Sequence, residues 1–328
     1  MSEIITEAIE KYRLSENATP KMKFSKVGVV GCGTTGQGIT LMIASRGIEV
    51  VFLELNQKLI DEAFQEMREA LDEKINHWGM TSNDKKLILS RIKGTLEYKD
   101  FVECDLVIDS ILSKTREFSK DIRRGVFKQI EEHVSRSAII ATNSTSSVIT
   151  ELASDLKYKD RCVSLHFSTT APDAQIVEVV KGLYSSEEVC ENIKKFAKLI
   201  NKIPVPVEES PGLISVRLGV SLISEACSLL MEGVGSMEDI DFVMKKGLGM
   251  SLGPFEMADK IGLERVVRWM DDLYNEFGDR KYKPSPIIKK LVRAKHYGRK
   301  TCEGFYKYDD LGYKLKDQTQ NVVCTNVE

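Results

Sequence analysis

Short β-branched apolar runs alternate with longer charged stretches of helical spacing through the first two thirds of the chain. Val27-Gly28-Val29-Val30, Glu49-Val50-Val51-Phe52-Leu53-Glu54, Asp105-Leu106-Val107-Ile108-Asp109-Ser110 and Ala138-Ile139-Ile140-Ala141-Thr142 read as strands buried on both faces. Helical patterns cover Ile39 to Arg46, Gln57 to Trp78, Asn83 to Ile92 and Val126 to His133. This order predicts an α/β fold, a doubly wound and mainly parallel sheet. Two more strand-like runs follow, Arg161 to Phe167 and Ile176 to Val180, joined by the turn-rich Ser168-Thr169-Thr170-Ala171-Pro172-Asp173. Past Glu208 strand character is lost. Ser210-Pro211-Gly212 predicts an N-cap with Pro at N1, opening an apolar helix that runs through Met231. Further helices are expected at Met237 to Lys246, Pro254 to Glu276, and Pro286 to Lys295 behind Ser285. The expected organisation is an extension over 1–23, a nucleotide-binding sheet domain over 24–207, an all-helical domain over 208–310 and a polar tail over 311–328.

Composition narrows the class. With 328 residues and 42% hydrophobic content, the chain can bury two domain cores. A formal net charge of −2 leaves no footprint for nucleic acid. No apolar stretch is read as approaching the length of a membrane span. Met1 to Lys23 lacks the apolar core of a signal peptide. The seven cysteines include no C-x-x-C pair, which fits a reducing compartment and offers no metal site; a cytoplasmic location is the expectation. The C-terminal helices carry little polar surface, so packing against a second copy, as a homodimer, is expected.

The first strand runs directly into Gly31-Cys32-Gly33-Thr34-Thr35-Gly36, then a helix, then a strand ending in Glu54. This is the order of a Rossmann-type dinucleotide-binding unit. Gly31 makes the tight turn, Gly33 admits a pyrophosphate to the backbone, and Gly36 permits close helix–strand packing. Thr34 and Thr35 open the helix whose free N–H groups face the phosphates. Glu54 can accept ribose hydroxyls and would repel a 2′-phosphate; Leu55, Asn56 and Gln57 supply no arginine, so NAD is preferred over NADP. Cys32 reads as structural. Asn143-Ser144-Thr145-Ser146-Ser147 lies at the carboxyl end of a strand, where ligands bind in such sheets, with Ser146 or Ser147 expected to cap a helix.

Of the four histidines, His77, His133 and His296 sit in charged contexts and read as solvated. His166 ends an apolar strand, and Glu178 lies inside the next one. Delivered into one cleft, they can form a general base and its orienting partner. On its own, His166 reads more readily as a packed or hydrogen-bonded structural histidine than as a base.

From about Lys26 to Tyr308 the chain resembles the 3-hydroxyacyl-CoA dehydrogenase family, including bacterial 3-hydroxybutyryl-CoA dehydrogenases. The resemblance rests on the glycine loop, Ala141-Thr142-Asn143-Ser144-Thr145-Ser146, Leu165-His166-Phe167 with Val177-Glu178-Val179, Ser210-Pro211-Gly212, Leu252-Gly253-Pro254-Phe255-Glu256, and Gly298-Arg299-Lys300-Thr301 with Glu303-Gly304-Phe305-Tyr306. It implies NAD-dependent oxidation of a short 3-hydroxyacyl-CoA, or the reverse, with His166 as base and Glu178 as its partner. Thr145 matches a family serine that hydrogen-bonds the substrate oxygen. Ser113, Asn143, Thr169 and Lys300 fall at cofactor positions, although Lys300 reads equally as a solvated charge beside a turn. The chain also departs from the family. The usual His-Phe-Phe-Asn-Pro becomes His166-Phe167-Ser168-Thr169-Thr170, and a Val-Glu-Asn segment becomes Leu112-Ser113-Lys114. Pro-Gly-Phe-x-x-Asn-Arg becomes Pro211-Gly212-Leu213-Ile214-Ser215-Val216-Arg217, and the CoA-contacting serine and lysine fall on Ala70 and His77. These changes leave open a carrier-protein thioester or a free 3-hydroxy acid as substrate, as in the carnitine- and gulonate-dehydrogenase relatives, or a non-enzymatic dinucleotide-binding role.

Overall fold

The computed structural model describes residues 24–76, 79–111, 119–167 and 175–315. The extension 1–23, His77, Ser113, Thr169 and the tail beyond 315 lie outside the described residues. The chain divides into two compact units, Met1–Lys114 with Gly125–Ala141, and Thr115–Arg124 with Thr142–Glu328.

In the first unit the chain forms β1 (Lys26–Val30), α1 (Thr34–Ala44), β2 (Glu49–Leu53), α2 (Gln57–Asn76), α3 (Ser82–Ser90), β3 (Ile92–Thr95) and β4 (Leu106–Asp109). α4 (Ser119–His133) begins in the second unit and ends in the first, and β5 (Ile139–Thr142) follows. β1 pairs in parallel with both β2 and β4, and β2 pairs with β3. Val27 to Val30 are all buried, which explains why these strands show no polar alternation. α2 buries Ile60, Ala63, Met67 and Leu71, one stripe at helical spacing, and leaves its charges on the other side. The helix expected from Asn83 to Ile92 stops earlier: the chain leaves α3 at Arg91, and Ile92 pairs with Val50 as the start of β3. Ile-Lys-Gly-Thr is too short and polar a strand to stand out as an apolar run.

The second unit holds α5 (Ile149–Ala153), β6 (Cys162–His166), β7 (Ile176–Lys181), α6 (Glu187–Leu199) and β8 (Ile203–Glu208). Its helical part comprises α7 (Leu213–Met231), α8 (Met237–Gly247), α9 (Pro254–Ile261), α10 (Leu263–Phe277) and α11 (Pro286–Arg293). β6 and β7 are antiparallel, and β8 joins β7 in parallel. The eight strands follow the order β3-β2-β1-β4-β5-β6-β7-β8. The fold is therefore a Rossmann-type, mainly parallel sheet followed by an all-helical segment.

Several local expectations are corrected. Gly262 (φ +98°) breaks the expected Pro254–Glu276 helix into α9 and α10. α7 opens at Leu213 behind a left-handed Gly212, so Ser210 and Pro211 precede its cap. Val148, and neither Ser146 nor Ser147, is the N-cap of α5. The polar segment after Tyr308 folds back as far as Leu315, whose N–H donates to the Lys307 carbonyl at 2.9 Å. His133 bonds the Gln129 carbonyl through Nδ1, and His296 lies past the end of α11 with Nε2 3.5 Å from Glu303, so neither is simply solvated. α7 is, by length and composition, apolar enough to cross a membrane, with mean hydropathy 1.6, contrary to the expectation that no stretch approaches that length. One side of α7 is committed to a protein core: Val216, Val220, Ile223, Ala226 and Cys227 are buried with Phe255, Val266, Met270 and Tyr282.

Candidate active site

The glycine loop has the geometry that a dinucleotide phosphate requires. Gly31 has φ +86°, a conformation that disfavours any side chain. A Cβ on Gly36 would stand 2.0 Å from the Gly31 carbonyl oxygen, so the first turn of α1 can lie against the loop only as glycine. Gly33 differs: a Cβ there would meet nothing within 4 Å. Nothing among the described residues demands that glycine, whereas a group docking against its backbone would. Gly33 is also the N-cap of α1 and supplies no side-chain hydrogen bond, and Thr34 and Thr35 carry the first N–H groups of the helix.

Glu54 follows β2, with its backbone N–H bonded to the Thr95 carbonyl at 3.1 Å. Its Oε1 accepts the Cys32 N–H inside the glycine loop, and its Oε2 accepts from Leu55 at 3.3 Å. The carboxylate thus stands over the loop at the carboxyl end of the strands. Ser110, just beyond β4, has a buried hydroxyl with no hydrogen-bond partner among the described residues, 3.7 Å from the place of a Gly36 Cβ. The sequence offered no signal for that orphaned group. Cys32 is buried and its thiol is pushed up to about 12 by desolvation, with the Thr40 hydroxyl acting in the other direction, as suits a structural thiol. These residues fit NAD: free N–H groups and an open glycine for the pyrophosphate, an acid for the ribose.

In the second unit, His166 and Glu178 occupy directly opposed positions of the antiparallel β6–β7 pair. The ring Nδ1 lies 2.7 Å from Glu178 Oε2, and both residues are buried. Glu178 has three further donors. The Ile214 and Ser215 N–H groups reach Oε1 at 3.0 and 3.1 Å, and the Ser215 hydroxyl donates to Oε2 at 2.7 Å. Burial opposes ionisation of Glu178, but the bonds from His166 and Ser215 prevail and hold its carboxyl below the ordinary range.

The start of α7 makes this possible. Gly212 (φ +80°) and Leu213 (φ +50°) are both left-handed, and together they turn successive N–H groups toward one anion. A leucine at positive φ is uncommon, a conformation costing about 1–3 kcal/mol that its surroundings must impose. The Gly212 N–H donates to the Thr145 carbonyl at 2.7 Å. Thr145 and Glu178 are therefore anchored to the same short segment. Asn143 is fixed as well, its Oδ1 accepting the Phe167 N–H at 3.0 Å, one residue past His166.

His166, Glu178, Thr145 and Asn143 thus belong to one connected set of loop and helix-start bonds. Lys300 sits elsewhere in the unit, paired with Glu264 Oε1 and 5.1 Å over the Tyr297 ring. Val216 points into the helical core and Ala70 is half-buried on α2. Ser215 went unnoticed in the sequence; its position in the first turn of a helix after Pro-Gly was the available signal. Among the described residues no cluster of His, Cys, Asp and Glu could hold a metal ion.

Comparison with known proteins agrees with this geometry. Residues 26–210 match the NAD binding domain of 3-hydroxyacyl-CoA dehydrogenase, and residues 212–308 match its C-terminal domain. The chain is 37% identical over 284 residues to a 3-hydroxybutyryl-CoA dehydrogenase of Clostridioides difficile, covering 87% of this chain and 99% of that one. It is 32% identical over 297 residues to the mitochondrial hydroxyacyl-coenzyme A dehydrogenase of Homo sapiens, covering 88% and 92%. The crystal structure of (S)-3-hydroxybutyryl-CoA dehydrogenase from Ralstonia eutropha superposes with a TM-score of 0.78 at 35% identity, covering 87% of this chain and 99% of that one.

Proposed function

The chain belongs to the 3-hydroxyacyl-CoA dehydrogenase family, and we propose that it acts on a short acyl chain such as 3-hydroxybutyryl-CoA, with His166 as general base. The overall activity is NAD-dependent oxidation of a 3-hydroxyacyl-CoA to the 3-ketoacyl-CoA, or its reverse. The buried His166–Glu178 pair is the observation that carries the assignment of roles. With Nδ1–H donated to Glu178, Nε2 is the nitrogen left to accept the C3 hydroxyl proton. Glu178 fixes that tautomer and stabilises the imidazolium that results. NAD, held by the glycine loop and Glu54, would supply the hydride acceptor. Thr145 supplies a hydroxyl for the substrate oxygen, and Asn143 orders the chain beside His166. The acid–base contribution is worth about 10²–10⁴-fold in rate.

Purified protein given NADH and acetoacetyl-CoA is expected to consume NADH, and His166→Gln to abolish it. Absence of turnover across short and medium chain lengths would overturn the substrate reading. The burial of Val216, where the family carries an asparagine, favours one variation: the same chemistry on a carrier-bound or free 3-hydroxy acid. Free CoA would compete with the first substrate class and be nearly inert against the second. The side of α7 and α8 left exposed among the described residues supports a homodimer, with Leu218 and Phe242 among the apolar residues a second copy would cover.

A further inference from the structure

Glu178 Oε2 accepts two hydrogen bonds of equal length, 2.7 Å, one from the His166 ring and one from the Ser215 hydroxyl. Oε1 meanwhile takes both backbone N–H groups. An ionised carboxylate offers about four acceptor sites, so this one is saturated. The Ser215 hydroxyl is not needed to complete the helix start: its own N–H and that of Ile214 are met by Oε1, and the Gly212 N–H is met by the Thr145 carbonyl. A serine in this place would ordinarily turn back toward the cap. Here it turns to the oxygen that holds the histidine. One position further, Val216 faces the core with Val220 and Ile223, so the polar side chain that α7 gives to the pair comes from position 215. β8 sets Val205 opposite Glu178, and among the described residues His166 is the only titratable group bonded to it.

We propose that Ser215 is a positioning residue for the proton-transfer pair, pinning Glu178 Oε2 against His166 and sharing the charge the imidazole feels. This rests on His166 and Glu178 serving as base and partner. The hydroxyl draws electron density from Oε2. Without it, the undiluted carboxylate charge falls on His166, the imidazolium is favoured, and the ring titrates at higher pH. A carboxylate released on one side also holds the ring less firmly, which lowers kcat with little change in KM.

The test pairs NMR titration of the His166 ring with the pH profile of kcat/KM for oxidation, in wild type, Ser215→Ala, Ser215→Cys and Ser215→Thr. In Ser215→Ala the ring titration and the acid limb of the profile are both expected to move up by about half to one pH unit, a roughly three- to tenfold change in the protonation equilibrium. The weak thiol donor of Ser215→Cys should give a smaller shift in the same direction, and it serves if the alanine variant does not fold. Ser215→Thr, which keeps the hydroxyl, should restore both. An unmoved ring titration in both the alanine and cysteine variants would overturn the proposal. The ring titration does not depend on turnover, so this outcome is separate from failure of the parent reading, which would appear as undiminished activity in His166→Gln.

Discussion

Gly36 stands so close to Gly31 that a Cβ on the first would lie 2.0 Å from the carbonyl oxygen of the second, while Gly33, between them, faces open space. The three glycines of one motif therefore answer to different constraints. Gly36→Ala must push α1 away from the loop backbone, so it is expected to lower stability as well as NAD affinity. Gly33→Ala meets nothing among the described residues. It should leave the thermal midpoint within a degree or two, about the shift of a few tenths of a kcal/mol, yet weaken NAD binding at least tenfold. Thermal melts with and without NAD check both. Equal affinity loss and equal destabilisation in the two variants would contradict this division.

Glu54 touches the same loop through the Cys32 N–H. Its charge is the term that should exclude a 2′-phosphate, and Leu55 and Asn56 bring nothing to replace it. Wild-type protein should use NAD in clear preference to NADP. Glu54→Gln should lose NAD affinity by about tenfold, the cost of exchanging a charged acceptor for a neutral one, while NADP binding improves. Titration of both cofactors against both proteins reads the change. An unchanged preference would place the discrimination elsewhere.

The helical part offers a test of assembly. Leu218 on α7 and Phe242 on α8 are 68% and 59% exposed, large apolar side chains with no cover among the described residues. Leu218→Asp combined with Phe242→Asp should bring the mass measured by light scattering to that of one chain without unfolding it, because neither side chain enters the buried cluster. A wild type that is already monomeric at micromolar concentration would refute the dimer.

What could be read from the sequence was whatever local pattern and burial specify together. The β1–loop–α1–β2 unit was legible because apolar strands and obligatory glycines lie side by side in the chain. The His166–Glu178 pair was legible because each residue sits within a strand-like run, and two such runs in succession can pair. β3 and β8 were not legible. The first is four residues with a lysine and a glycine, and the second, Ile203–Glu208, carries Pro204 and Pro206, which suit an edge strand and disguise it. The break at Gly262 was hidden because helical periodicity continues through it. α6 did carry a start signal, Ser186 before Glu187 and Glu188, and Ser186 does cap it. The bond between Ser215 and Glu178 joins residues 37 apart, a tertiary contact that no local pattern encodes.

The saturated carboxylate also predicts how the protein responds to acid. Burial disfavours charge on Glu178, yet its donors hold its folded pKa below the ordinary value of 4.5. A depressed carboxyl stabilises the fold above that ordinary value, and the stabilisation is lost as pH falls through the lower folded value. Asp241 and Asp259 behave in the opposite sense. Burial raises both above 3.8 despite bonds from Phe255, Glu256, Phe305, Tyr306 and Tyr308, so their ionised forms cost stability near neutrality, a cost relieved on acidification. Glu178→Gln should therefore cost about 2–4 kcal/mol at pH 7, where it breaks charged hydrogen bonds in a buried site. The deficit should shrink as pH is lowered below 4.5, because wild type then loses the same contribution while glutamine does not titrate. Urea unfolding of both proteins at pH 7, 5 and 4 measures the gap. A gap that stays constant across that range would mean that Glu178 is not held ionised by the α7 N-terminus and His166.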